Sequence, residues 1–296
     1  MRKSDASTQS AETLPSRPDE MQDWLNRNLY HPLALRLALS LRGTMVTPNA
    51  LSIAGGAMVL LAAFIYASFD GPLWAVFALL VHMGWHVLDG ADGDLARLTG
   101  RESAMGEIVD GACDYLSHVV LYLVLAAALA EQIGATGWVL MVAAGFARAV
   151  QQNFFETQRK QYHCWVYGKT WLRAEPRRGK QRGGPLMALA RFYMWVSALT
   201  AADGQRLDQV LQASGEKRET ARAIIKRELA PFIRSLSPLS SNYRTLVIGF
   251  AMLVSAPAII VVFELAILSV VMVASIVRAR RLIASLVNQL ELRTER

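Results

Sequence analysis

LDGADGDLARLTGRESAMGEIVDGACDYLSH, residues 88–118, places Asp89, Asp92, Asp110 and Asp114 where the flanking sequence is apolar enough for membrane helix. A charge at membrane depth costs roughly 2.5–3.5 kcal/mol on insertion scales, so like charges held together there require a neutralising partner. Their spacing indicates its nature. Asp89 and Asp92 stand at i and i+3 with Ala96 continuing the stripe, and Asp110 and Asp114 stand at i and i+4 with Gly106 a turn earlier. Helices pairing across a bend at Gly100 would turn both stripes into one cleft. A set of oxygen ligands selects hard divalent cations, Mg²⁺ or Mn²⁺. Several carboxylates leave room for two ions about 3.5–4 Å apart, which clamps a phosphoryl group during displacement. Gly93 and Gly106 remove side chains where a phosphate would approach the backbone.

Spacing by itself leaves a carboxylate-based ion transporter open, because intramembrane aspartates also mark ion and proton pathways. A calcium loop is excluded by the order of the acidic residues and the missing closing glutamate. Asp94 and Glu102 read as solvated loop residues.

The run Asp92-Gly93-x-x-Ala96-Arg97, followed at fixed intervals by Gly106, Asp110 and Asp114, resembles the signature of the CDP-alcohol phosphotransferase (CDP-alcohol phosphatidyltransferase) family, class I, at every fixed position. Asp89 matches an additional upstream aspartate of many members, and Thr47-Pro48-Asn49 is similar to the start of the family's first membrane helix. The resemblance implies a phospholipid-biosynthetic enzyme that moves a substituted phosphate from a cytidine diphosphate carrier to a hydroxyl and releases CMP. It implies Asp89, Asp92 and Asp110 as ligands of Mg²⁺ or Mn²⁺, and Asp114 as the base that also reaches the second ion. Asn49, Ser52, Gly93, Arg97, Ser103 and Gly106 would contact the CDP donor. A homodimer is implied too. Read from the residues alone, Arg97 offers a planar fork for phosphate or a cytoplasm-facing topology charge, and Ser103 a donor contact or a helix cap.

Within the family two donors stay open. Cys113 before Asp114 resembles enzymes that pass phosphatidyl from CDP-diacylglycerol to inositol phosphate, but Tyr115 stands where those usually carry arginine. Cys-Asp is also similar to CDP-choline and CDP-ethanolamine enzymes, whose acceptor is a lipid hydroxyl of diacylglycerol or ceramide. Those commonly have more spans, which favours CDP-diacylglycerol.

Hydrophobic residues make up 53% of the chain, yet Lys and Arg outnumber Asp and Glu by 31 to 24. Basic residues flanking apolar segments fit a membrane protein with basic cytoplasmic parts, and no single patch suggests nucleic acid. Two cysteines, Cys113 and Cys164, provide no disulfide framework. No cleavable signal peptide is expected.

The expected architecture is all-α, a polytopic membrane protein with six transmembrane helices. Residues 1–19 read as disordered, and 20–46 as an interfacial amphipathic helix interrupted by Pro32. Residues 47–157 hold the first four spans, about Asn49–Phe69, Pro72–Leu95, Ala104–Ala130 and Thr136–Phe155. Residues 158–240 form a basic cytoplasmic helical insertion. In it, Pro185–Ala202 is read as an interfacial or packed helix and Arg206–Ser235 as soluble helices interrupted at Gly215. Residues 241–281 hold the last two spans, roughly Tyr243–Ala258 and Ile259–Val277, and 282–296 the tail. Turns around Asp70, Glu131–Gly137 and Ala256–Glu264 lack Lys and Arg, whereas the other connections and both ends are basic. That alternation places both termini in the cytoplasm of an inner-membrane protein, with the aspartate cleft opening inward. Arg148, Gln151, Gln152 and Glu156 make a second polar cluster in the fourth span; Arg148 and Gln152 share a face and read equally as acceptor contacts or as snorkelling residues. His118 reads as structural or as an acceptor contact.

Overall fold

The computed structural model describes residues 17–169 and 204–294, and every regular element among them is helical. After a 3-10 turn at Asp19–Met21, the chain is helical from Trp24, passing through a π-helical stretch, Asn26–Tyr30, into α1, His31–Leu41. Pro32 accounts for that stretch. Proline has no N–H and its ring crowds the carbonyl four residues back, so a widened turn ahead of it keeps the helix going. The helix therefore starts at Trp24, not at Glu20. Of the segment 1–19, the described residues 17–19 are tied down, Asp19 opening the first turn and Arg17 bonded to Gly90 and Asp94, while residues 1–16 lie outside the described chain.

Four long helices follow: α2, Pro48–Ser68; α3, Pro72–Thr99; α4, Ala104–Ile133; and α5, Ala135–Tyr167. α2 packs against both α3 and α4, α4 against α5, and α1 against α3. Local chemistry sets the ends. Thr47 Oγ1 accepts from Ala50 N at 3.2 Å and Pro48 occupies the first turn, where a missing N–H costs nothing. Gly100, at φ +64°, closes α3 with Arg101 N donating to Ala96 O at 2.9 Å, and Ser103 Oγ caps α4 by accepting from Gly106 N at 3.0 Å. Gly134 alone joins α4 to α5. One turn later a Cβ on Gly137 would stand 2.6 Å from Ala130 N, so only glycine lets the two helices come this close.

Beyond residues 170–203, which include the expected Pro185–Ala202 helix and lie outside the described residues, come α6, Gly204–Ala213, and α7, Arg218–Ser235, separated at Gly215 as expected. Then follow α8, Ser241–Leu253; α9, Ala258–Val261; a π-helical stretch, Val262–Leu268; and α10, Ser269–Thr294. The last three run on as one rod.

Four helical segments are long and apolar enough to cross a membrane: Pro48–Ser68, Pro72–Thr99, Met105–Ile133 and Ala258–Leu292. The expected total of six spans is thus met in part. The helix of the fourth expected span is present, but buried Arg148, Gln151 and Asn153 make it too polar to qualify by composition. That of the fifth is only 13 residues, about 20 Å of rise against a hydrocarbon core of roughly 30 Å. The last rod does not end near Val277 but continues to Thr294.

One apolar core lies among α2, α3, α4 and α5, built on Val59, Trp85, Leu121, Leu125 and Met141, with Ile248 of α8 closing it. A second joins the far end of α5 (Phe154, Tyr162, Trp165) to α6, α7 and α10 through Leu207, Ile225, Phe232 and Leu286. A small third seats Ala34 and Ala38 of α1 against Ala91 and Leu95 of α3.

Candidate active site on helices α3 and α4

α3 and α4 meet at the Gly100 bend, and both aspartate stripes lie close to it. Asp92 is eight residues before Gly100 and Asp110 seven after Ser103, so both sit roughly 10–12 Å along their helices from the turn. The carboxylates of Asp92 and Asp110 come within hydrogen-bonding reach, and Asp89 lies in Coulombic range of Asp92, Asp110 and Asp114. Ser52 of α2 donates to Asp92 Oδ2 at 2.6 Å, fixing that carboxylate from a third helix. Asn49 Oδ1 stands 3.5 Å, and Ser103 Oγ 3.2 Å, from where a Cβ on Gly106 would be. Asn49, Ser52, Ser103, Gly106, Asp92 and Asp110 are thereby drawn together at one end of the bundle.

Asp114 is held differently. His118 Nδ1 is 2.8 Å from both the backbone O and Oδ1 of Asp114. The single Nδ1 proton cannot satisfy both oxygens fully, so the buried Oδ1 shares it with the backbone carbonyl. His118 in turn belongs to a buried group with His82, His86 and Trp85, in which His86 Nε2 lies 2.9 Å from Thr245 Oγ1. The role of His118 is therefore at least structural. The sequence reading passed over His82 and His86, although their i, i+4 spacing on an apolar helix could have drawn attention to them.

Asp94 corrects the reading of a solvated residue. It is 3% exposed, and its Oδ1 accepts from Arg97 Nη2 and Arg17 Nη2, each at 2.7 Å. One step round α3 from the cleft stripe, it holds Arg97 so that its guanidinium lies 3.3 Å from the space a Cβ on Gly93 would occupy. Glycine at 93 lets that cation lie along the helix beside the aspartates. Ser103 acts as a cap, the second of its two readings, and Cys113 and Cys164 are both free thiols.

The polar cluster of α5 divides. Arg148 is buried, 5.6 Å over the Tyr122 ring, and within Coulombic range of Asp114. Gln151 and Gln152 turn instead to Arg244: their Oε1 atoms accept from Nη2 at 2.7 Å and Nη1 at 3.2 Å. Glu156 pairs with Arg159 at 3.3 Å and lies within Coulombic range of Asp89. Arg244 and Glu264 were missed from sequence. Each is 1% exposed, and Arg244 Nε contacts both Glu264 oxygens at 3.1 and 3.2 Å while Tyr122 O–H donates to Oε1 at 2.8 Å. Two lone opposite charges in apolar surroundings were the available signal.

The sequence model of the CDP-alcohol phosphatidyltransferase family matches residues 45–214, more than half of the chain and all of α2 to α5. The chain belongs to this family. It is accordingly a transferase of substituted phosphate groups, whose members use a CDP-alcohol donor, an alcohol acceptor and, in general, divalent metal ions. No individual curated protein matches it. Among the described residues no three His, Cys, Asp or Glu side chains converge closely enough to form a metal cage. The donor chemistry nevertheless fits a hard divalent cation: carboxylate oxygens face one another across α3 and α4, and a buried Asp114 oxygen has at most a share of one imidazole proton.

Proposed function

We propose that the cleft between α3 and α4 transfers phosphatidyl from CDP-diacylglycerol to the hydroxyl of a small alcohol and releases CMP. The observation that carries this reading is the approach of Asp92 and Asp110 from opposite helices, with Asp89 and Asp114 in range, in a chain of this family. Like-charged carboxylates are placed together at a cost that divalent ligands would offset.

Asp89, Asp92, Asp110 and Asp114 would hold Mg²⁺ or Mn²⁺. The ions supply charge neutralisation of the diphosphate and of the departing CMP. Asn49, Ser52, Gly93, Arg97, Ser103 and Gly106 form the donor side, Arg97 presenting a planar guanidinium to phosphate and Gly93 allowing it to approach. Asp114 takes the proton of the acceptor hydroxyl. The freed oxygen bonds to the phosphatidyl phosphorus, the bond from that phosphorus to the bridging oxygen breaks, and the electron pair leaves with CMP. Arg148 would contact the acceptor beside Asp114, whereas Gln152, expected on the same face of α5, is committed to Arg244.

In this reading α5 and α8 complete six crossings, both termini lie in the cytoplasm of the inner membrane, helices α6 and α7 belong to a cytoplasmic insertion, and two copies pair. The test supplies purified protein and Mn²⁺ with radiolabelled CDP-diacylglycerol, CDP-choline or CDP-ethanolamine against a panel of alcohols and lipids. CMP release from CDP-diacylglycerol, abolished by chelation and by Asp114→Asn, is expected. Release only from a soluble CDP-alcohol with diacylglycerol or ceramide would move the lipid to the acceptor side. Near-normal turnover of Asp114→Asn would remove the proposed base.

A further inference from the structure

On the opposite flank of α3 from Asp89 and Asp92, a cavity of about 310 Å³ opens between the N-terminal segment and the start of α1. We propose that this cavity binds a phosphate group, carried either by an anionic lipid headgroup or by a soluble phosphate compound. Its walls are Arg17, Gln22, Arg27, His31, Leu35 and Asp94. The volume is at the lower end of small-ligand pockets, roughly 300–1,000 Å³, and suits a phosphate with a small polar substituent.

The side chains are arranged for an anion. Gln22 ties the rim by donating to Arg17 O at 2.7 Å and accepting from His31 Nδ1 at 2.8 Å. Asp94 is the only carboxylate among the lining residues, and its Oδ1 already serves both Arg17 and Arg97. Among the described residues, the Arg27 guanidinium, 61% exposed, reaches no carboxylate closer than Asp19 at 3.8 Å, beyond hydrogen-bonding distance, which leaves its donors available. Arg159, outside the lining, donates to Met21 O at 3.1 Å and to Glu156 at 3.3 Å and adds its charge to the field at His31. The excess of cation is felt at His31, whose imidazole is pushed down to about 3 by burial and by Arg17, Arg159 and Arg97. A planar guanidinium beside an apolar wall matches a phosphate attached to a less polar body.

Position supplies the lipid alternative. α1 carries exposed Leu33 and Leu39, and Trp24, one π-helical stretch earlier, is 70% exposed, so the segment that lines the cavity also presents apolar side chains outward. The same cavity is also open to a water-soluble phosphate.

The experiment uses the full chain in mild detergent. Native mass spectrometry measures retention of phosphatidylglycerol against phosphatidylcholine, and thermal unfolding measures stabilisation by millimolar inorganic phosphate. Wild type should retain phosphatidylglycerol preferentially, or gain stability from phosphate, and Arg27→Gln should weaken whichever occurs roughly tenfold. Arg36→Gln, an exposed arginine on α1 outside the cavity, should change it less than about twofold. Preference for the lipid alone identifies a headgroup site, and stabilisation by phosphate alone a soluble ligand. Neither effect in wild type, or equal losses in the two variants, would overturn the proposal.

Discussion

Glu264 and Arg244 offer a sharp test of what holds the middle of the bundle together. Replacing Glu264 by methionine leaves a guanidinium that is 1% exposed without its counter-ion, and deprives the Tyr122 hydroxyl of its acceptor. Breaking a buried pair from one side costs about 3–5 kcal/mol, because the remaining charge is stranded. Arg244 keeps Gln151, Gln152 and the Leu239 carbonyl, which places Glu264→Met toward the lower end of that range. Converting both partners to methionine removes the stranded charge and should recover at least half of the loss. Full recovery is not expected, since the Tyr122 hydroxyl and the Gln151 carbonyl would still lack partners and Gln152 would keep only Ser241 Oγ at 3.4 Å. The assay is reversible unfolding in mixed micelles, with wild type, both single variants and the double variant forming a cycle. A single variant within 1 kcal/mol of wild type, or a double variant no better than the worse single, would refute the reasoning.

Arg148→Ala removes the cation nearest Asp114 on α5 and should raise the Michaelis constant for the acceptor while leaving that for the CDP donor near wild type; unchanged acceptor kinetics would discard its assignment. Gly137→Ala drives a Cβ to 2.6 Å from the backbone of Ala130, so α4 and α5 must separate; a loss of about 1–3 kcal/mol in thermal or denaturant unfolding is expected. His31 is held neutral in the fold with its imidazole near 3, below the value of about 6.5 in an unfolded chain. Between those values the unfolded state binds the extra proton, so this contribution is whole above pH 6.5 and is lost as pH falls toward 3, by no more than about 1.4 kcal/mol per pH unit. The stability gap between wild type and His31→Asn should therefore narrow from pH 7 to pH 5, and a gap independent of pH would contradict it.

The aspartate helices were legible because period and charge coincide there. Asp89 with Asp92, and Asp110 with Asp114, share faces by spacing alone, and Gly100 and Ser103 mark the bend between them. Local chemistry also gave the break at Gly215 and the turns into α2 and α3. Pairings across the fold were not legible. Asp94 is two residues from Asp92 and looks like one more polar residue at a bend; only the arrival of Arg17 from 77 positions away makes it a buried ionic centre. Arg244 and Glu264 are 20 positions apart, and nothing local states that the turn between them brings them face to face. Six spans were expected and four described helices meet the length and composition of one; α5 falls short because it buries a polar side, Gln151 and Asn153 included, against other helices, and hydropathy averages over faces that packing distinguishes.

α5 is 33 residues long, about 50 Å, well beyond the thickness of a bilayer interior. Its C-terminal part carries Phe154, Tyr162 and Trp165, which share one apolar core with Leu207, Leu211, Ile225, Phe232 and Leu286. The family match stops at residue 214, inside this shared interior. Cutting the chain there would strip one half of a greasy joint from the other, so the signature-bearing half should aggregate when expressed alone, and the portion from α7 onward is as much a part of its folding as the helices that bear the aspartates.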